Sequence, residues 1–199
     1  MNASRREIAR AIYEAGRAHD AGEPDRLRRF RNVEPPTAEL LAILILAGRL
    51  ERVLEIGTSN GYSTIWLADA VEATGGRVVS VELEPARTEQ ARENLARAGL
   101  AARVELRTED AAQTLARSAD GAWQLIFLDA ERPAYASYLP DLVRSLGAGG
   151  VLAVDNVISH AHELIDFTAA IEADERLTQT VVPVGAGLRL AVRRAGAGA

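Results

Sequence analysis

The sequence predicts an α/β fold, a mostly parallel sheet covered by helices on both faces. Two observations carry this. Val53-Leu54-Glu55-Ile56 is a short apolar run that reads as a strand buried on both sides. It ends in a turn bounded by Gly57 and Gly61, after which Tyr62, Ile65, Trp66 and Ala70 recur at helical spacing. Further apolar strands then alternate with helices to the end of the chain, the pattern of a sheet built through right-handed crossovers.

Before the central strand, Ser4-Arg5-Arg6-Glu7 has the form of a capping box, and Ile8, Ile12 and Ala15 continue a helix to about Ala18. His19 to Pro24 reads as a polar break. Arg26-Leu27-Arg28-Arg29-Phe30-Arg31 is the one dense positive patch; it reads as a solvated helix face or as a holder for an acidic group. Pro35-Pro36 starts a helix whose Leu40, Leu41, Ile43, Leu44 and Leu46 predict burial on nearly all sides. Beyond the central unit come a strand at 77–82, a helix between Pro85 and Gly99, a strand at 104–106 and a short helix at 111–116. A strand at 123–128, a helix at 138–146, a strand at 151–154 and a helix from Ser159 to about Glu172 follow. Two final strands, at 179–184 and 188–192, read as a hairpin across Gly185-Ala186-Gly187, with the last strand antiparallel. The chain is expected to form a single domain over 1–199: an N-terminal helical segment to 35, a core over 36–193, and a disordered tail over 194–199.

At 199 residues the chain can bury one α/β core and is too short for two ordinary domains. It has no cysteine, which excludes disulfides and thiolate chemistry, and no lysine, which excludes a lysine base. The charged N-terminus lacks the apolar segment of a secretory signal, and the longest apolar run is too short to span a bilayer, so a cytoplasmic protein without membrane contact is expected. A net charge of −5 disfavours a nucleic-acid partner.

Ligands of open α/β sheets gather at the carboxyl ends of the strands. There stand Glu55 to Gly61, Glu82, Glu109-Asp110-Ala111, Asp129 and Asp155-Asn156. The glycine spacing G-x-x-x-G is not the G-x-G-x-x-G of dinucleotide sites. Acids at Glu55 and Glu82 fit a cationic, ribose-bearing cofactor, with Glu82 a bidentate acceptor for ribose hydroxyls. Asp129, Asp155 and Asn156 end neighbouring strands about 4.8 Å apart. Two carboxylates and an amide oxygen are hard ligands, suited to Mg²⁺, Mn²⁺ or Ca²⁺.

With LEIGTSNGYST, FLDAERPAY and VDNV in place, the chain resembles the class I S-adenosylmethionine-dependent, cation-dependent O-methyltransferases of the catechol and caffeoyl-CoA type, in their bacterial branch. The resemblance covers about Pro36 to Arg193. It implies a Rossmann-like class I methyltransferase fold, seven strands in the order 3-2-1-4-5-7-6, and a homodimer. It implies cofactor contacts from Glu55, Gly57, Thr58, Ser59, Gly61, Tyr62, Ser63, Glu82, Asp110, Ala111 and Asp129, with Asp110-Ala111 along the adenine. It places a metal on Asp129, Asp155 and Asn156, with Asp129 also at the catalytic centre. The substrate it implies is a small aromatic bearing vicinal hydroxyls. An α/β oxidoreductase and a non-catalytic cofactor-binding protein are the competing readings.

The chain departs from the family three residues after Asp129, where relatives carry a lysine and this sequence has Arg132. Arginine stays protonated and is a poor base, but it can stabilise a phenolate. A phenol of pKa about 10 falls short of ionisation at pH 7 by about 4 kcal/mol. A divalent cation can remove that deficit. His160, four residues past Asn156, is the alternative base.

Overall fold

The computed structural model describes residues 1–196, so part of the expected tail, 197–199, lies outside the described residues. Seven strands alternate with seven helices: α1 (Ala3–Gly22), α2 (Pro35–Gly48), β1 (Arg52–Ile56), α3 (Tyr62–Thr74), β2 (Arg77–Glu82), α4 (Pro85–Arg97) and β3 (Val104–Thr108). Then come α5 (Ala111–Arg117), β4 (Trp123–Leu128), α6 (Tyr135–Ser145), β5 (Leu146–Val154), α7 (Ile165–Glu172), β6 (Leu177–Val182) and β7 (Leu188–Arg193). The sheet order is β3-β2-β1-β4-β5-β7-β6, as the resemblance implied. β7 alone runs against its neighbours, β5 and β6.

Alternation along each strand divides the core into two layers. Val53, Val78, Leu125, Phe127 and Ala153 face a cluster that includes α1 to α3 residues such as Ile12, Leu41 and Ile65. Leu54, Ile56, Val79, Ile126 and Leu152 face the opposite cluster with Leu115, Tyr135, Leu142 and Phe167. Both faces of the central strands are therefore apolar, which is why they read as continuous runs rather than as alternating ones. β1 sits between β2 and β4, with Leu54 level with Val79 and Ile126.

Several sequence expectations are corrected. Asn2, not Ser4, caps α1, its Oδ1 accepting the Arg5 N–H at 2.9 Å, and the helix runs through the expected break to Gly22. Arg5 fastens this helix to the core through Asp69, Glu72 and the Ala98 carbonyl. α2 is not buried all round: Leu41 and Ile45 are inside, whereas Ile43 and Leu46 are 58% and 46% exposed. The expected helix from Ser159 starts only at Ile165, after turns and one 3₁₀ turn at Ala161–Glu163. The N–H groups of Val157, Ile158 and Ser159 donate to the carbonyls of Gly187 and Ala186, tying the segment after β5 to the β6–β7 hairpin. α6 starts at Tyr135 and β5 at Leu146, earlier than expected, while β6 begins at Leu177 and ends at Val182.

Leu54 is fully buried at the centre of the sheet, whereas Val181 lies on the edge strand and is 38% exposed. Leu54→Ala should cost about 2–5 kcal/mol, and Val181→Ala less than about 1 kcal/mol. Thermal denaturation followed by circular dichroism should show a large fall in Tm only for the first.

Candidate functional site

The carboxyl ends of β1 to β5 open into one cavity of about 460 Å³, a volume suited to small ligands. One of its walls is the turn after β1. Gly57 has φ +105°, and a Cβ there would lie 1.9 Å from the Asp129 carbonyl oxygen. Its N–H donates to the Val81 carbonyl at 2.9 Å, fixing the turn between β2 and β4. Ser59, at φ +50°, turns its N–H to Glu82 Oε2 (2.8 Å) and its hydroxyl to the Phe30 carbonyl (2.8 Å). Glu82 also takes the Leu83 and Glu84 N–H groups on Oε1, so three backbone donors aim a carboxylate that keeps free lone pairs.

Of the residues expected at the cofactor, Gly57, Thr58, Ser59, Ser63, Glu82, Asp110, Ala111 and Asp129 line the cavity. Glu55, Gly61 and Tyr62 do not. Glu55 is fully buried on the α3 side of β1 and accepts from the hydroxyls of Ser63, Thr64 and Ser80 at 2.5–2.6 Å. Its role is to tie β1, β2 and the start of α3 together behind the turn. Gly61 is required by packing: a Cβ would meet Ala91 of α4 at 3.1 Å, and φ is +83°. Tyr62 is 3% exposed and packs beside Tyr13 with ring centroids 5.2 Å apart. Asp110 caps α5 through the Ala112 N–H and takes the Tyr138 hydroxyl at 3.2 Å.

The other end of the cavity holds Asp129, Asp155 and Asn156. Asn156, at φ +66°, donates its amide to Asp129 Oδ1 at 3.0 Å and to Asp155 Oδ2 at 3.2 Å. Burial and the Asp155 charge push the Asp129 pKa well up, and burial raises Asp155 to about 6. Asp155 Oδ1 is buried with no hydrogen-bond partner. Asn O and N are distinguished only by their bonding. Turning the amide brings its oxygen toward the two carboxylates, three hard donors in reach of one divalent cation. The residues fit such an ion. Among the described residues no group of three or more His, Cys, Asp or Glu is placed to hold a metal ion.

Arg132 and His160 also line the cavity. Arg132 is only 4% exposed, and its Nε and one terminal nitrogen grip Glu163 at 2.8 and 3.3 Å. It is thereby committed to anchoring the segment after β5. His160 lies in a turn, its Nδ1 2.8 Å from the Ser159 hydroxyl; burial and then the Arg132 charge lower its pKa.

The chain reading missed a strap. Residues 26–28 form one 3₁₀ turn, and the following extended segment crosses the cavity. Asp20 accepts the N–H groups of Phe30 and Arg31, both at 2.8 Å, while Arg87 reaches the carbonyls of Leu27 and Arg29. Arg26 and Arg31 both pair with Glu131. The arginine run was visible in the chain, but Arg87 and Glu131, 58 to 105 residues away, were not recognisable as its partners.

Comparison with known proteins places this arrangement. The O-methyltransferase family profile matches residues 27–194. A catechol O-methyltransferase of Mycobacterium tuberculosis is 41% identical over 148 residues, 74% of this chain and 65% of that protein. One from Niastella koreensis is 35% identical over 130 residues, 64% of this chain and 58% of that protein. The chain thus matches less than two thirds of the length of either relative. Among solved structures, the O-methyltransferase from Bacillus cereus in complex with SAH has a TM-score of 0.78 at 28% identity, covering 94% of this chain and 91% of that one. The O-methyltransferase TomG from Streptomyces achromogenes, in complex with SAM, has a TM-score of 0.80 at 28% identity, covering 98% and 91%.

Burial lifts the Glu55 carboxyl from 4.5 to about 7, against three hydroxyl donors that favour its charged form. Between those values the folded state holds a proton that the unfolded chain has lost. Glu55 therefore makes stability fall as pH rises from 4.5 to about 7, with no further loss above. Glu55→Gln imitates the protonated carboxyl and should reduce that fall by up to about 3 kcal/mol. Urea unfolding at both pH values checks this; Asp129 and Asp155, also raised, leave a remaining slope of the same sign.

Proposed function

This chain belongs to the O-methyltransferase family, and from that premise we propose that it is an S-adenosylmethionine-dependent enzyme methylating a hydroxyl of a small vicinal dihydroxy aromatic. A divalent cation held by Asp129, Asp155 and Asn156, Mg²⁺ foremost, belongs to the same reading. The observation that carries it is the shared cavity. The turn at Gly57 and the oriented Glu82 form one wall, and the oxygen cluster on β4 and β5 forms the other. The names of the two curated relatives, both catechol O-methyltransferases, agree with a two-oxygen acceptor.

Once bound, the cofactor supplies a sulfonium methyl group, and the cation lowers the pKa of a coordinated hydroxyl. The protein's part is positioning and electrostatics. Glu82, held by three backbone N–H groups, accepts ribose hydroxyls. Asp110, oriented by Ala112 N–H and the Tyr138 hydroxyl, borders the adenine. Gly57 lets the turn after β1 pack directly on the Asp129 backbone, where a Cβ would lie 1.9 Å from the carbonyl oxygen, and so sets this wall beside the Asp129 end of the cavity. In the reaction the acceptor oxygen bonds to the methyl carbon, the carbon–sulfur bond breaks with its electrons on sulfur, and the hydroxyl proton passes to water. Holding the two partners in line is worth far more than any single contact.

No helix among the described residues is long and apolar enough to cross a membrane. We also carry the homodimer forward, on the exposed Ile43 and Leu46 of α2. Light scattering at micromolar concentration should give twice the chain mass, and a monomer mass would refute it.

The central test separates cation from cofactor. Asp155→Ala, or EDTA, should lower catechol turnover by at least about a hundredfold, since the ionisation deficit is about 4 kcal/mol. Calorimetric affinity for S-adenosylhomocysteine should change by less than about threefold, because Asp155 stands outside the cofactor wall. Full turnover in EDTA would remove the cation from the reaction. Intact cofactor binding with no turnover across a catechol panel would favour a binding protein.

A further inference from the structure

Arg132 was the cation that the sequence offered for stabilising a phenolate, yet it is buried and its fork is closed on Glu163. The strap carries another. Arg31 has φ +50°, the left-handed region that a non-glycine residue occupies only when its surroundings impose it. Here the imposing group is Asp20, whose two oxygens take the Phe30 and Arg31 N–H groups, one each, at 2.8 Å. The strap is fixed independently at Phe30, whose carbonyl accepts the Ser59 hydroxyl, and at Arg29, whose carbonyl accepts from Arg87. A strained residue held from three sides within a ligand cavity is the mark of a positioned functional group.

The side chain of Arg31 lines the same cavity as Asp129 and Asp155 and is 31% exposed. One terminal nitrogen pairs with Glu131; among the described residues its Nε and other terminal nitrogen donate to no protein atom. Guanidinium has five N–H donors, so most of its donor capacity is left for a ligand or solvent. Its field reaches Asp129, where it is the first charge opposing the rise in pKa caused by burial and Asp155. The charged groups around it are Arg26 and Glu34 on the strap side, Glu131 and Asp129 after β4, and Asp155 after β5.

We propose that Arg31, not Arg132, is the catalytic cation of the acceptor half-site: its guanidinium faces the acceptor hydroxyl and stabilises the negative charge that develops on that oxygen, and Asp20 is the positioning residue that sets it there. This rests on the methyl-transfer reading above. A fixed cation at a developing oxyanion acts in a partly dry site where it needs no reorganisation. Arg132 then serves the architecture, holding the His160-bearing segment through Glu163.

The probe is 4-nitrocatechol, whose ionisation is visible by absorbance, bound to the full-length protein with S-adenosylhomocysteine and Mg²⁺. Arg31→Gln should raise the ionisation midpoint of the bound probe by about one pH unit or more. It should also lower kcat for its methylation roughly 10- to 100-fold, with S-adenosylhomocysteine affinity held within about twofold. Arg31→Lys should recover part of both effects, and Asp20→Asn should move the midpoint in the same direction by less. Glu131→Gln is the control for a merely structural latch between the strap and the β4 loop: it releases Arg31 without removing the charge, so the midpoint should not rise. An Arg31→Gln variant with wild-type midpoint and rate overturns the assignment, as does Glu131→Gln reproducing the Arg31→Gln effects. If Arg31→Gln fails to fold, Arg31→Lys decides: a smaller rise supports the proposal and none overturns it. Probe that neither binds nor is methylated by the wild-type protein overturns the methyl-transfer reading itself, and the role of Arg31 with it.

Discussion

The arrangement depends on a backbone contact between two neighbouring strand ends. Asp129 N–H donates to the Ile56 carbonyl at 2.9 Å, and the Asp129 carbonyl lies where a Cβ of Gly57 would have to be. One step along, the Asp155 N–H donates to the Leu128 carbonyl at 3.1 Å. These are continuations of the parallel ladder beyond β1, β4 and β5, so the separation of cofactor turn, Asp129 and Asp155 is set by strand spacing rather than by side-chain choice. A reaction that needs two ligands end to end gains its geometry from the sheet itself.

Much of this was legible in the chain because it is local. Strands ending in Glu82, Asp129 and Asp155, each followed by a turn, declare their chemistry within a few residues. Two-sided burial likewise shows as unbroken apolar runs. What escaped was tertiary. Glu55 looked like a ligand because it stands near the carboxyl end of β1, but the pleat sends it to the α3 face with Val53, where three hydroxyls wait. Gly61 looked like a cradle for a ligand; its constraint is the passage of α4 at Ala91. The segment after β5 is held by carbonyls of the β6–β7 hairpin, which lie about thirty residues further on.

The electrostatics of the cavity show the same division. Acids cluster at the strand ends because every parallel strand points its carboxyl end the same way, and that clustering carries a cost. Burial and then the Asp155 charge push Asp129 toward its neutral form, and burial does the same to Asp155. The cations opposing the rise at Asp129 do not come from the strands. Arg31 comes from the strap and Arg132 from the loop after β4, and Arg31 and Arg26 reach Glu131 across about a hundred residues of sequence. A composition with arginine as its sole long cation suits this use, since a planar fork can hold a carboxylate and a backbone carbonyl in fixed directions.

Arginine in place of lysine also changes what the acceptor half-site can do. A lysine after Asp129 could exchange a proton; Arg132 cannot, and its Glu163 partner turns it into a joint between two loops. With lysine absent from the whole chain, no basic amine is available to take a proton from a bound hydroxyl, and His160 is the neutral base that the cavity offers. Fixed positive charge is the other means by which such a site can favour an anion. The orphaned oxygen of Asp155, the left-handed Asn156 and the left-handed Arg31 are each unfavourable in isolation. All three line the same cavity, and each is held by its own contacts: Arg31 by Asp20 and Glu131 on the strap side, Asn156 by Asp129 and Asp155 at the strand ends.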